Sequence, residues 1–127
     1  MGGPTAYAHF MILYGIKNCD TVKKARKALE AAGADYRFHD FRSDGIGADQ
    51  IAAWVEELGL ERVLNKRGTT WRNLDEAQKE GLSEAETITL MAEHPTLIKR
   101  PVIDLGPKRL IGFSKAEQDA LMEHLGG

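Results

Sequence analysis

Ordered hydrophobic patterning begins at residue 11. Residues 11–14 are a short apolar run closed by Gly15, the pattern of a buried strand. Val22, Ala25, Ala28, Leu29 and Ala32 then recur at helical spacing, and Gly33 supplies a left-handed stop. Residues 36–41 alternate aromatic side chains with Arg37 and His39, so a second strand follows and completes a βαβ unit. The period lengthens in the middle of the chain. Ile51, Trp54, Val55 and Leu58 fall at i, i+3, i+4 and i+7 ahead of Gly59, which predicts an amphipathic helix. Residues 65–72 read as a loop, and 74–79 as a weaker helix. Ser83 with Glu86 forms a capping-box signature before Ile88, Leu90, Met91 and Ala92, and Pro95 marks the stop. Residues 102–105 and 110–113 read as two strands of a hairpin turning through Gly106-Pro107-Lys108. A second capping box, Ser114 with Glu117, opens a last helix carrying Ala120, Leu121 and Leu125. The order is βαβ, helices, ββα: a single α/β domain over residues 11–127 with a helical insertion at about 45–94. Residues 1–10 carry no pattern and read as a tag or a disordered extension ahead of a second methionine, Met11.

Composition narrows the chemistry. With 127 residues, 43% of them hydrophobic, the chain builds one sizeable core and has no room for two catalytic domains. Seventeen Lys and Arg against nineteen Asp and Glu leave a net charge of −2, so a general affinity for nucleic acid is not expected and any anion site must be local. No apolar run is long enough to span a membrane, and the N-terminus lacks the features of a secretory signal. A soluble, cytoplasmic monomer is expected. The four histidines, His9, His39, His94 and His124, show no ligand spacing, and the single cysteine excludes an all-cysteine metal cage, so no metal is expected. Gly45-Ile46-Gly47 lacks the third glycine of a dinucleotide fingerprint and reads as a turn.

That one cysteine, Cys19, falls between the first strand and the first helix, within Gly15-Ile16-Lys17-Asn18-Cys19-Asp20-Thr21. The unpaired N–H groups and the positive dipole end of a helix start favour an anionic sulfur, and Lys17, Lys23 and Lys24 act in the same direction. Asp20 opposes them, or else caps the helix itself. The plainer reading is a packed, inert thiol. An exposed cysteine beside a lysine-rich helix start favours a reactive one. Because Val22 stands three residues on, no second cysteine can resolve a mixed disulfide within the motif, and turnover needs an external thiol, most simply glutathione. Arg67 and Arg100 are permanent cations with forked donors suited to carboxylates or oxyanions, although most arginines are merely solvated.

Three ordered segments carry a resemblance: residues 13–25, Asn65-Lys66-Arg67-Gly68-Thr69-Thr70-Trp71-Arg72, and Ile98-Lys99-Arg100-Pro101-Val102. Together they make the chain similar to the arsenate reductase (ArsC) family, and within it to the YffB branch related to Spx. The resemblance implies a thioredoxin-like (glutaredoxin-like) mixed sheet with a helical insertion. It also implies a glutathione-dependent thiol–disulfide oxidoreductase working through the Cys19 thiolate, with glutathione as co-substrate rather than a tightly bound cofactor. A small oxidised substrate is the partner, and glutaredoxin a further candidate. Lys17, Asn18, Thr21, Arg67, Arg100 and Pro101 are the substrate and glutathione-binding residues it implies, Pro101 as a cis-proline beside the thiol. Gly112 stands where arsenate reductases of the family carry a third arginine, and Arg109 is out of phase with that place. Two alternatives follow: arsenate reduction proper, coupled to glutathione or glutaredoxin, and a non-catalytic Spx-like regulator that binds RNA polymerase.

Overall fold

The central strand, β1 (Met11–Gly15), is flanked on one side by a parallel neighbour, β2 (Tyr36–Asp40), and on the other by an antiparallel one, β3 (Val102–Asp104). A fourth strand, β4 (Arg109–Ile111), adds antiparallel to β3, giving the order β2-β1-β3-β4. This is an α/β, thioredoxin-like arrangement. The computed structural model describes residues 11–126, so the extension expected over residues 1–10, His9 included, lies outside them. The chain divides into two compact units, one built from its two ends and the other from Phe41–Lys99.

The first unit holds the sheet, α1 (Asp20–Ala31) and the closing helix, which ends at Gly126. Of the five positions read from the sequence, helix α1 buries Val22, Ala25 and Leu29, against Met11 and Leu13 of β1, Ile103 and Leu105, and Leu121 of the closing helix, whereas Ala28 is half-buried and Ala32 is the exposed C-cap. Each leucine fully withdrawn from water here contributes about 1.5–3 kcal/mol. Gly33 takes a φ of +68° beyond the end of α1 and lets the chain turn back toward β2.

In the second unit the helical elements are α2 (Phe41–Asp44), α3 (Ala48–Leu58), α4 (Leu60–Val63), α5 (Thr69–Arg72), α6 (Glu76–Lys79) and α7 (Glu84–Glu93), with a 3₁₀ turn over Pro95–Leu97. The closing helix of the first unit, Lys115–Gly126, is then α8. Helix α3 packs on α7 with Ile51, Trp54 and Val55 inward, and the Trp54 ring meets Phe41 at 6.3 Å between centroids. The Ser83 hydroxyl accepts from the Glu86 N–H and the Glu86 carboxylate accepts from the Ser83 N–H, closing the capping box expected for α7.

Several elements differ from the sequence reading; β3, expected over residues 102–105, already ends at Asp104, and the Leu105 N–H donates to the Lys108 carbonyl in the turn. Strand β2 stops at Asp40, because Phe41 turns into α2 and buries its ring with Trp54; the aromatic alternation outlasts the strand by one residue. The expected loop 65–72 contains the helical turn α5, started at Gly68. Helix α6 begins at Glu76 instead of residue 74, since Asp75 and Gln78 form a capping box that fixes its start. Strand β4 ends at Ile111, where Gly112 adopts a φ of +83° that no strand can continue.

Candidate active site

Cys19 is the N-cap of α1. Its backbone is extended (φ −133°, ψ 121°), and its carbonyl accepts the first helical bond, from the Lys23 N–H at 2.9 Å. The extended conformation falls on Cys19 itself, so Asp20 is the first helical residue and not the cap. The side chain of Cys19 is a free thiol, half-buried, resting on the edge of the first unit's core. It is neither sealed from solvent nor fully exposed. Lys17 and Asn18 form the exposed turn before it, and Thr21 lies exposed in the first turn of α1.

What lets α1 start so close to the sheet is Gly15, the last residue of β1. A Cβ there would lie 2.6 Å from Cγ2 of the buried Val22, closer than any real side chain tolerates. Glycine therefore sets the depth at which the first turn, with Cys19 at its head, packs on the strand end.

Arg100 and Pro101 enter through β3. Tyr14 pairs with Val102, the first residue of β3, so Arg100 and Pro101 enter that strand from the end of β1 from which the cysteine loop departs. The Arg100–Pro101 peptide is cis, Pro101 is buried and Arg100 is half-buried. The Pro101 carbonyl accepts the Gly112 N–H at 2.8 Å, tying the proline to the residue after β4. Arg109 is held elsewhere: it faces Asp104 across the hairpin, with Nη1 3.5 Å from Oδ1, and donates to the Gly106 carbonyl at 3.3 Å. Next to this strand end, the Tyr14 ring lies 4.8 Å from His39 between centroids. Burial, with the Asp104 carboxylate adding to it, pushes the Tyr14 hydroxyl above the ordinary tyrosine value, so near neutrality it is a phenol.

The structure thus gathers Cys19, Lys17, Asn18, Thr21, Arg100 and Pro101 at one end of the sheet in the first unit. Arg67 belongs to the second unit. There it is exposed in the turn before α5, its N–H donating to Asn65 Oδ1 at 3.1 Å. Trp71, on α5, is half-buried with two ammonium groups over its ring, Lys66 Nζ at 5.5 Å and Lys79 Nζ at 5.6 Å from the centroid. Sequence reasoning left Trp71 without a place and missed both lysines, because the three residues sit on separate local elements: a turn, α5 and α6. Among the described residues no cluster of three or more His, Cys, Asp or Glu could hold a metal ion, and no helix is long and apolar enough to cross a membrane.

A thioredoxin-like sheet with a solitary cysteine capping its first helix and a cis-proline at the neighbouring strand end defines the class: a small α/β protein of the thiol-bearing thioredoxin-like kind. The chain belongs to the ArsC family, whose model matches residues 14–121. It is similar to the solved structure of a YffB protein, at 48% identity over 91% of this chain and 98% of that one, with a TM-score of 0.85. The solution structure of an arsenate reductase (ArsC) related protein from Brucella melitensis is 39% identical over 89% of this chain and 94% of that one, with a TM-score of 0.69. Among curated sequences, the global transcriptional regulator Spx 2 of Bacillus cereus is 33% identical over 84% of this chain and 82% of its own length.

Proposed function

We propose that the chain is a monothiol, glutathione-dependent thiol–disulfide oxidoreductase. The observation that carries this reading is a half-buried free thiol at the head of α1, where the N–H groups of the first turn are not used by a side-chain cap. In the first step the Cys19 thiolate attacks the glutathione sulfur of a mixed disulfide substrate, R–S–S–G. The new bond is Cys19–S–S–G, and the substrate leaves as RS⁻, which takes a proton from water. A second glutathione, as thiolate, then attacks the glutathione sulfur of that adduct, releasing glutathione disulfide and restoring the Cys19 thiolate. The substrate is reduced by two electrons and two glutathiones are joined; no metal or second protein cysteine is needed.

Arg100 and Lys17 supply cations for the tripeptide's carboxylates at the sheet end, and Asn18 and Thr21 add exposed polar contacts. The reducing thiol pool this cycle consumes is that of the cytoplasm. Full-length protein treated with glutathione disulfide is expected to take up one glutathione, and Cys19→Ser none. Turnover of a small glutathionylated substrate in the wild type and none in Cys19→Ser completes the test; turnover retained in Cys19→Ser would overturn the proposal.

Arsenate as the oxidised substrate is the less supported variant. Gly112 occupies the place of the family's third arginine, its left-handed φ disfavours any side chain, and Arg109 is engaged by Asp104. The identity with Spx 2 supports a second reading, a regulator that binds RNA polymerase without turnover. Polymerase retention in a pull-down that persists in Cys19→Ser, with no turnover in the wild type, would favour it.

A further inference from the structure

We infer that the second unit carries a binding pocket of its own for an organic dianion with an apolar body. The pocket encloses about 630 Å³, within the range of roughly 300–1,000 Å³ typical of small-molecule sites. Four cations line it, Lys66, Arg67, Lys79 and Lys99, against one carboxylate, Glu61. This local excess is opposite in sign to the net charge of the chain, −2.

The cations are placed by structure that leaves most of their charge available. An antiparallel bridge between Leu64 and Ile98 fixes the two segments that bear Lys66, Arg67 and Lys99, with the Asn65 N–H donating to Leu97 at 2.7 Å and the Lys99 N–H to Val63 at 2.8 Å. Lys66 and Lys79 are drawn to the Trp71 face, which attracts an ammonium without neutralising it. Lys79 is also paired with Glu76 at 3.1 Å, whereas among the described residues no ion pair engages Lys66, Arg67 or Lys99. Three unneutralised cations around one pocket call for more than one negative charge on the occupant.

The rest of the lining sets the other half of the ligand. Leu60, Leu64 and Leu82 contribute apolar walls beside the indole, a surface that a bare inorganic anion would leave in contact with water. Two sources share the required chemistry: a dicarboxylate peptide with an alkyl or aryl substituent, and an organic phosphate carrying a ring. The inference does not depend on the proposed function: all four cations belong to the second unit.

Isothermal titration calorimetry on the full chain bearing Cys19→Ser tests it with thiol chemistry removed. S-hexylglutathione represents the dicarboxylates, ADP the organic phosphates, and inorganic phosphate an anion with no apolar body. Saturable binding of either organic probe is expected, weakened about tenfold by Lys66→Gln and by Lys99→Gln, as for the loss of a charge-assisted contact. Both lysines are exposed, so these variants change charge and leave the core untouched. Whichever organic probe binds identifies the source. Binding of neither, binding indifferent to both lysine variants, or inorganic phosphate binding as tightly as the organic probes would overturn the inference, and none of these outcomes bears on glutathione uptake by Cys19.

Discussion

Gly15 and Gly112 show how single residues shape the sheet end by different physics. At Gly15 the constraint is steric: an added methyl meets Val22 Cγ2 at 2.6 Å, and Val22 is fully buried with nowhere to move. Gly15→Ala is therefore expected to lower unfolding stability by about 1–3 kcal/mol, the usual cost of overpacking. It should also slow glutathione uptake by Cys19, because the first turn of α1 must retreat. Urea denaturation and the mass-adduct rate measured on one sample check both; an unchanged midpoint would refute the steric account. At Gly112 the constraint is conformational, a φ of +83° that any residue with a Cβ resists. Gly112→Arg, which writes in the arginine of arsenate reductases, is expected to cost about 1–3 kcal/mol in the same assay. A variant as stable as the parent would show that the glycine is not required by the backbone.

Among the elements, α7 offers the clearest dependence on pH. The Ser83 N–H, and then its hydroxyl, hold the Glu86 carboxyl below the ordinary carboxylate value of 4.5. A carboxyl lowered in the folded state stabilises it above the unfolded value, and that contribution fades as pH falls through the folded one. Glu86→Gln should therefore be less stable than the parent at pH 7, and the gap should close below about pH 4.5 as the parent carboxyl takes up a proton. Ser83→Ala removes the hydroxyl that accepts the Glu86 N–H and is expected to cost about 1 kcal/mol. Thermal melts of both variants from neutral to acidic pH measure this, and a gap that widened on acidification would contradict the assignment. The other capping signature is realised differently: the Ser114 N–H donates to Glu117 Oε1 at 2.7 Å, and the Ser114 hydroxyl turns to the same oxygen.

Across the whole molecule, what was legible in the sequence is what short-range physics encodes. The stripe of Val22, Ala25 and Leu29, the apolar run of β1 and the Ser83 box each depend on neighbours within about one turn, so periodicity exposes them. The ends of β2 and β4 were misjudged because tertiary demands decide them, the burial of Phe41 against Trp54 and the φ of Gly112. Cys19 was legible as a loop residue at a helix start, whereas the register that pairs Tyr14 with Val102 joins segments nearly ninety positions apart and no local pattern announces it. The Lys66–Trp71–Lys79 cluster was invisible for the same reason: it belongs to a pocket assembled from separate turns.

The monothiol cycle requires that the thiol at the head of α1 react and then be restored. Intact-mass spectrometry of the full chain, first with glutathione disulfide and then with reduced glutathione, measures this directly. One glutathione per chain, absent in Cys19→Ser and removed completely by the second reagent, is the result expected. A chain whose mass never changes under the first reagent, or an adduct that reduced glutathione cannot clear, would contradict the monothiol cycle.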